Sequence, residues 1–409
     1  MSLQRFVAAR NSRAAFFWLC SLLLNTRDAC AEIELLGTVT LPADATDHSG
    51  LTDLLDDKFP QNRLAGISGI EYSGKGNRYW LLPDRGPLDG AVPFRCRLQE
   101  FDIIVDLKSK TPLRAKLVGT KLLKTEYGEQ LIGAAAAFDP HNSARSLRFD
   151  PEGVRRLAAN RLVISDEYGP MLSVFDLSGK RIKQLDVPKK FQVAKPAAKP
   201  GEELAENPSG RQPNSGFEGV AVSSDGDKLY AMVQRSLIQD SQPGKGEKRV
   251  GLNCRLLEIQ LKTSTTRELV YRLDDDTTGV SELLAVGPQQ LLVLERDGAG
   301  GVEARHKKIY RINLADATDC SGVVALPAGE LPSDLRPVSK QPFLDLLDPR
   351  WMIAGELCPE KFEGLTFGPA LPDGRRILLV AVDNDFRSDR ATFLYAFAVD
   401  VDDLASSPR

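Results

Sequence analysis

Residues Gly216–Ser236 read GFEGVAVSSDGDKLYAMVQRS. An apolar run from Phe217 to Val222, the turn dipeptide Asp225-Gly226 and a second apolar run from Leu229 to Val233 form the pattern of a β-hairpin. The same unit recurs, diverged, as GISGIEYSGKGNRYWLLPDRG from Gly66, DPEGVRRLAANRLVISDEYGP from Asp150, GVSELLAVGPQQLLVLERD from Gly279 and KFEGLTFGPALPDGRRILLVAVDNDF from Lys361. With Ser68, Glu152, Glu218, Ser281 and Glu363 taken as equivalent, the units fall roughly 60 to 85 residues apart, a spacing that suits propeller blades of four short strands plus loops. Outside these hairpins the chain continues in short β-type runs, and helical pieces are expected only near Leu51 to Asp57 and Phe343 to Leu347. The fold class is therefore all-β: a β-propeller of about six blades, with five to seven allowed by length, whose first strands line a central channel.

The 409 residues need no second domain if one repeat array forms a continuous core. A formal net charge of -3 gives no electrostatic reason to expect nucleic acid as a partner. The N-terminus reads differently from the rest. Arg5, Arg10 and Arg13 precede an apolar run from Ala14 to Leu24, and Ala29-Cys30-Ala31 supplies a small-x-small cleavage pattern, so residues 1–31 are expected to be a signal peptide and residues 32–409 the propeller domain. The apolar run is short for a membrane span and no later segment approaches one, so a secreted or periplasmic chain without a transmembrane segment is expected. Cys30 lacks the aliphatic and small residues that normally precede a lipidated cysteine. Cleavage leaves Cys96, Cys254, Cys320 and Cys358, which either pair as one or two disulfides or stay buried as free thiols. Between Pro188 and Asn214 five prolines stand among Lys, Ala and Glu, and this segment is expected to be an exposed or mobile insertion; Gln239 to Lys248 reads as a second polar loop.

Acids recur at two places in the unit. Glu152, Glu218 and Glu363 open a first strand and are each followed by Gly; Asp84, Asp166 with Glu167, Glu295, and Asp383 with Asn384 close the next strand. On equivalent strands around one axis these side chains converge on one mouth of the channel. Converging carboxylates raise one another's pKa and favour a bound oxygen-liganded cation such as Ca²⁺. The opposing reading is architectural: Glu-Gly at a strand start is common turn chemistry, and such acids can simply accept backbone amides or pair with Arg. Arg85, Arg235 and Arg296 sit beside the acids as anion clamps or as salt-bridge partners. Because neighbouring residues on a regular strand point to opposite faces, Asp84 and Arg85 are not both expected to face the channel. Other templates fit poorly: His48, His141 and His306 have no H-x-x-x-H spacing, and neither a G-x-S-x-G elbow nor a Walker motif occurs.

The succession GISGIEY with LLPDRGP, FDPEGV with VISDEYGP, NSGFEGVAVSSDGDKLY, GVSELL with LLVLERD, and KFEGLTF with VAVDNDF resembles the phytase-like family described by esterase-like activity of phytase. The similarity runs from about Ala65 to Ala398, and the first unit departs from it with Ser68-Gly69 in place of Glu-Gly. The resemblance implies an exported propeller that hydrolyses phosphate or carboxylic esters, and it brings no agreed set of catalytic residues.

Together these readings lead to an expectation of a calcium-assisted hydrolase acting on a small-molecule ester, phosphate esters before carboxylic ones. Glu152, Glu218 and Glu363 are assigned catalytic roles, Arg85 and Arg296 substrate binding, and Asp166, Glu167, Glu295, Asp383 and Asn384 the metal. The alternative is a non-enzymatic propeller of the cell envelope that binds a ligand or protein.

Overall fold

The computed structural model describes residues 33–139, 141–142, 145–245, 249–400 and 404. The expected signal peptide lies outside the described residues. Five four-stranded antiparallel sheets form the blades. Blade 1 comprises Ile67–Tyr72, Arg78–Pro83, Arg97–Val105 and Leu113–Leu122, and blade 2 Pro151–Leu157, Arg161–Asp166, Met171–Asp176 and Arg181–Leu185. Blade 3 comprises Phe217–Val222, Lys228–Val233, Asn253–Gln260 and Thr266–Arg272, and blade 4 Gly279–Gly287, Gln290–Arg296, Lys307–Asn313 and Ser339–Asp345. Blade 5 takes Lys361–Ala370, Arg376–Asp383 and Thr392–Val399 from the C-terminal end and Glu34–Leu41 from the N-terminal end. Each unit read from the sequence supplies the two inner strands of one blade, so the propeller has five blades, the lower end of the expected range.

Runs such as Leu291–Leu294 are buried throughout rather than alternating, because a blade is covered on both faces by its neighbours. Accordingly the apolar clusters lie between blades: Leu82, Leu98, Val154 and Ile164 join blades 1 and 2, and Leu294, Phe362, Val380 and Phe397 join blades 4 and 5. The ring is closed by the N-terminal strand, which pairs antiparallel with Thr392–Val399, Glu34 opposite Ala398 and Leu41 opposite Thr392.

The innermost strands pack against one another very closely, and this explains the glycine of the repeated Glu-Gly. A Cβ on Gly69 would stand 2.5 Å from the carbonyl oxygen of Glu152 in the next blade, one on Gly153 2.8 Å from that of Glu218, and one on Gly219 2.6 Å from the amide nitrogen of Leu283. In blade 4 the corresponding position is Glu282, fully buried, whose carboxylate accepts the amides of Val220 and Leu283 at 3.1 and 2.9 Å. Glu282 also pairs at 2.9 Å with Arg155 of blade 2. Arg155 donates to the carbonyls of Ile70 in blade 1 and Leu283 in blade 4, at 3.1 and 2.5 Å, so its guanidinium bridges the axis beneath the mouth.

Several local expectations are corrected. Residues 54–60 form a small hairpin, Leu54–Leu55 with Phe59–Pro60, and Phe343 lies in the outermost strand of blade 4, where neighbours supply the pairing that overrides a weak helical pattern. The α-helix Pro200–Glu206 lies instead inside the Pro-rich segment, with Pro at the first helical position, where its missing N–H costs nothing. That segment is docked, not free: Phe191 is fully buried and Arg211 pairs with buried Glu203. The polar loop after Val233 carries the short pair Gln242–Pro243 with Arg249–Val250. All four described cysteines are buried free thiols, each in a different apolar cluster, which leaves no pair to bridge. Among the described residues no helix is long and apolar enough to cross a membrane.

The close approach predicts that Gly219→Ala, which forces backbone apart at a fully packed contact, lowers stability by about 1–3 kcal/mol. Gly322→Ala, with open space around the added methyl, should leave the urea midpoint unchanged, and equal midpoints for the two variants would contradict the packing argument.

Candidate active site at the channel mouth

In every blade the pairing of the first two strands slips at the same place: between Ile67 and Gly69, Pro151 and Val154, Phe217 and Val220, Val280 and Glu282, and Phe362 and Gly364. A bulge leaves a residue out of the ladder and re-aims its side chain. The slips contain Ser68, Glu152, Glu218, Ser281 and Glu363, all buried; the last four line a cavity of about 190 Å³ at the channel mouth, and Ser68 donates to Glu363 at 2.9 Å.

The second strands contribute a further set, and the register decides which side chains belong to it. Pro151 faces Asp166, Val280 faces Glu295 and Phe362 faces Val382, so the residues one step further, Glu167, Arg296 and Asp383, are the equivalent ones, together with Asp84 and Gln234. Asp84, Glu167, Gln234 and Arg296 line the cavity, and Asp383 contacts Lys361 at its edge. Asp84 and Arg85 both face it because blade 1's second strand ends at Pro83, which frees them from strict alternation.

Asp166 and Glu295 point away from the mouth. Asp166 accepts the amides of Asp150 and Tyr168 at 3.0 and 3.1 Å. Glu295 accepts from the Tyr271 hydroxyl at 2.6 Å and the Asp274 amide at 3.0 Å and pairs with Lys340 at 2.6 Å. Asn384 links blades, accepting the Gly66 amide at 3.0 Å and donating to the Arg390 carbonyl at 2.8 Å. Asp383 accepts the Asp385 amide at 2.7 Å and pairs with Lys361 at 3.2 Å. These four are held by their surroundings, Asp166 through Oδ1 alone, its buried Oδ2 having no partner among the described residues.

The remaining acids are held much less. Glu152 accepts no side-chain hydrogen bond among the described residues, and the buried Oε1 of Glu167 has no partner, although its Oε2 lies 3.3 Å from Arg85. Glu218 receives one bond, from Gln234, and its carboxyl lies within hydrogen-bonding reach of Glu167. Burial, then the neighbouring acids, push Glu152 and Glu218 well above the usual carboxylate range, and burial with the nearby Asp150 pushes Glu167 up to about 7. Glu363 differs: burial opposes its charge, but Arg296 at 2.5 Å and Lys361 outweigh it and hold its pKa below the ordinary value.

Asp150, Glu152 and Glu167 can each offer one oxygen with all three within 4.8 Å of one another, an all-oxygen set suited to a hard cation. Three carboxylates fill only part of the shell of a Ca²⁺ ion, leaving the rest to water or substrate. Sequence reasoning missed Asp150 as a ligand, although it stands at the head of its unit, because it precedes the strand and has no equivalent acid elsewhere. Asp150 and Glu167 of this group also face the Arg85 guanidinium, at 2.6 and 3.3 Å, and a second such group, Asp274, Glu295 and His306, holds the Lys340 ammonium, at 2.5 Å from Asp274.

The cations divide similarly. Arg85 is engaged by Asp150 at 2.6 Å, and Arg296 by Glu363 and by the Ser281 hydroxyl at 3.0 Å. Arg235, which lines the same cavity, makes only long contacts to the carbonyls of Asp276 and Thr277, at 3.5 and 3.4 Å, and no ion pair among the described residues. The docked Pro-rich segment braces this wall: Arg211 donates to the Tyr168 carbonyl at 3.0 and 2.9 Å, immediately beside Glu167.

The profile of the phytase-like family, described as esterase-like activity of phytase, matches residues 62–386. The chain belongs to this family. All five bulged positions and the Asp150–Glu152–Glu167 group fall inside the matched region. An "Uncharacterized secreted protein" of Arthroderma benhamiae is 25% identical, the match covering 76% of this phytase-like chain and 75% of the relative. Among solved structures, a luciferin-regenerating enzyme matches at 12% identity and a TM-score of 0.33, over 82% of this chain and 93% of that one. The Dos1 propeller matches at 8% identity and a TM-score of 0.31, over 83% and 69%. An ancestral GH74 enzyme matches at 12% identity and a TM-score of 0.37, over 81% and 36%.

The raised pKa of Glu167 has a sign that can be checked. Its folded value, about 7, exceeds the ordinary 4.5, so the folded state binds the proton more tightly and stability is lost as pH rises from about 4.5 through 7. With chelator present, the thermal midpoint should fall over that window, and Glu167→Gln should flatten the fall; an unchanged profile in the variant would remove Glu167 from the titration.

Proposed function

We propose that this phytase-like propeller is an ester hydrolase whose reaction takes place at the channel mouth. The observation that carries the reading is where the acids point: Asp166 and Glu295 are turned away into structural bonds, whereas Glu152, Glu167 and Glu218 line one open cavity, the Oε1 of Glu167 without a partner among the described residues. Leaving buried carboxyls short of partners is costly unless something else satisfies them.

Asp150, Glu152 and Glu167 would hold a divalent cation, Ca²⁺ on the chemistry of the donor set, which when bound supplies positive charge for the ester's oxygens and lowers the pKa of a bound water. Glu218, held by a single bond from Gln234 and lining the cavity beside Glu167, is placed to take a proton from the attacking water. Arg235 is the cation best placed to grip an anionic ester, because Arg85 and Arg296 are already paired. Glu363 orients Arg296 rather than acting on substrate directly. Export of the protein agrees with its arginine-flanked apolar N-terminus and with its secreted relative.

That same pairing of Arg85 and Arg296 favours a second reading, a cup that binds a ligand without converting it. Hydrolysis of 4-nitrophenyl phosphate, phytate and 4-nitrophenyl acetate, with calcium and with chelator, separates the two. Chelator-sensitive turnover is expected, with Glu218→Gln lowering kcat by roughly 10²-fold or more. Arg235→Met should raise KM for the phosphate esters and spare the neutral acetate. Saturable calcium binding with no turnover of any of the three would leave only the binding cup.

A further inference from the structure

A second cavity, of about 250 Å³, lies against the mouth at the junction of blades 4 and 5, and Glu360 lines both. Its wall is apolar over Leu357, Pro359, Val382, Ala391 and Phe393, and Gly300 and Gly301 keep one side bare of side chains. Leu357 is 89% exposed, an aliphatic side chain left in water at the edge of a cavity it could help to close. The charged residues lining it are mostly acidic: Glu356, Glu360, Asp383, Asp385 and Asp389 stand there with Arg390, 3.5 Å from Glu360, and even with Lys361 paired to Asp383 and Asp385 and Arg387 to Asp389 the acids outnumber the cations.

This combination selects a ligand class. An apolar wall stabilises carbon surface removed from water. An acidic rim repels a further phosphate or carboxylate. We infer that this cavity is the subsite for the alcohol half of the substrate, and that this half is uncharged and apolar, an aryl or branched alkyl group, rather than a polyphosphorylated ring. The inference rests on the hydrolase reading of the mouth. The ester R–O–PO₃²⁻ would lie with its phosphoryl group among the mouth residues and R across Glu360; water adds to phosphorus, the bond to the ester oxygen breaks, and R–OH leaves with the proton while phosphate retains the water oxygen. Phytate, which carries phosphates on every side, has no apolar face to offer this wall.

Two readouts keep the subsite and the chemistry apart. The first is fluorescence titration of the full secreted chain with 1-naphthol, which needs no turnover: wild type should saturate, and Ala391→Phe, which fills the cavity from its rim, should weaken binding by about tenfold or more. Leu357→Ser, at an exposed position where folding is not at risk, should weaken it in the same direction. Absence of saturable 1-naphthol binding to wild type, or binding unaltered in both variants at unchanged thermal midpoints, overturns the subsite whether or not the protein is an enzyme. The second is turnover: Ala391→Phe should raise KM for 1-naphthyl phosphate while leaving kcat/KM for glycerol 2-phosphate within about twofold. Equal losses on both substrates, or faster turnover of phytate than of 1-naphthyl phosphate by wild type, also overturn it. If no ester is turned over but 1-naphthol binds and is displaced by Ala391→Phe, the hydrolase reading fails and the apolar site stands.

Discussion

The guanidinium of Arg155 is the contact on which the arrangement of the mouth depends. From blade 2 it reaches carbonyls in blades 1 and 4 and the carboxylate of Glu282, and Glu282 in turn holds the amide of Val220 in blade 3. Glu71, 3.8 Å from the same guanidinium, accepts from Thr366 in blade 5. One buried cation thus ties together all five innermost strands. Its charge is needed there, because Glu282, although burial pushes its pKa up to about 8, has no other cationic partner of comparable closeness among the described residues. Removing one partner of such a group leaves the others uncompensated in a low-dielectric interior, which is why the network holds as a unit or not at all.

Above that tie the strand irregularities shape the cavity. A bulge repeated in all five blades would be an expensive defect if it were only a defect, since each one gives up ladder pairing. The close approach of the innermost strands requires glycine just past the bulged residue in four blades, and in three of these that residue, Glu152, Glu218 or Glu363, lines the mouth. In the repeated Glu-Gly, glycine serves the ring and glutamate serves the cavity, so the architectural and chemical readings of that dipeptide apply to different halves of it.

Much of this was legible in the sequence. The hairpin units, their order and the convergence of Glu152, Glu218 and Glu363 follow from periodicity and turn chemistry alone. What was hidden is what register controls. Asp166 and Glu295 looked equivalent to the acids of the mouth because they end strands, but a shift of one residue along a strand reverses the face, and Glu167 and Arg296 are the residues that look inward. Composition also misled over Lys189 to Asn214: its prolines and charges suggest a free loop, yet Phe191 and Arg211 find burial in tertiary contacts that no local window records. Arg235 stood out only once the pairing of the other arginines was known, since availability is a property of the neighbours and not of the residue.

The closure of blade 5 carries a consequence for how the molecule is made. Glu34–Leu41 leaves the ribosome among the first residues of the domain, and its partner Thr392–Val399 among the last. Until then the outer strand of blade 5 has no partner and exposes an unpaired edge, and the contact that finishes the ring joins strands more than 350 residues apart, the kind of non-local pairing that folds slowly. The ring therefore closes only after Thr392–Val399 has been synthesised. A chain that lacks either of these two strands is left with an open seam in the same blade that supplies Glu363, Asp383 and Lys361.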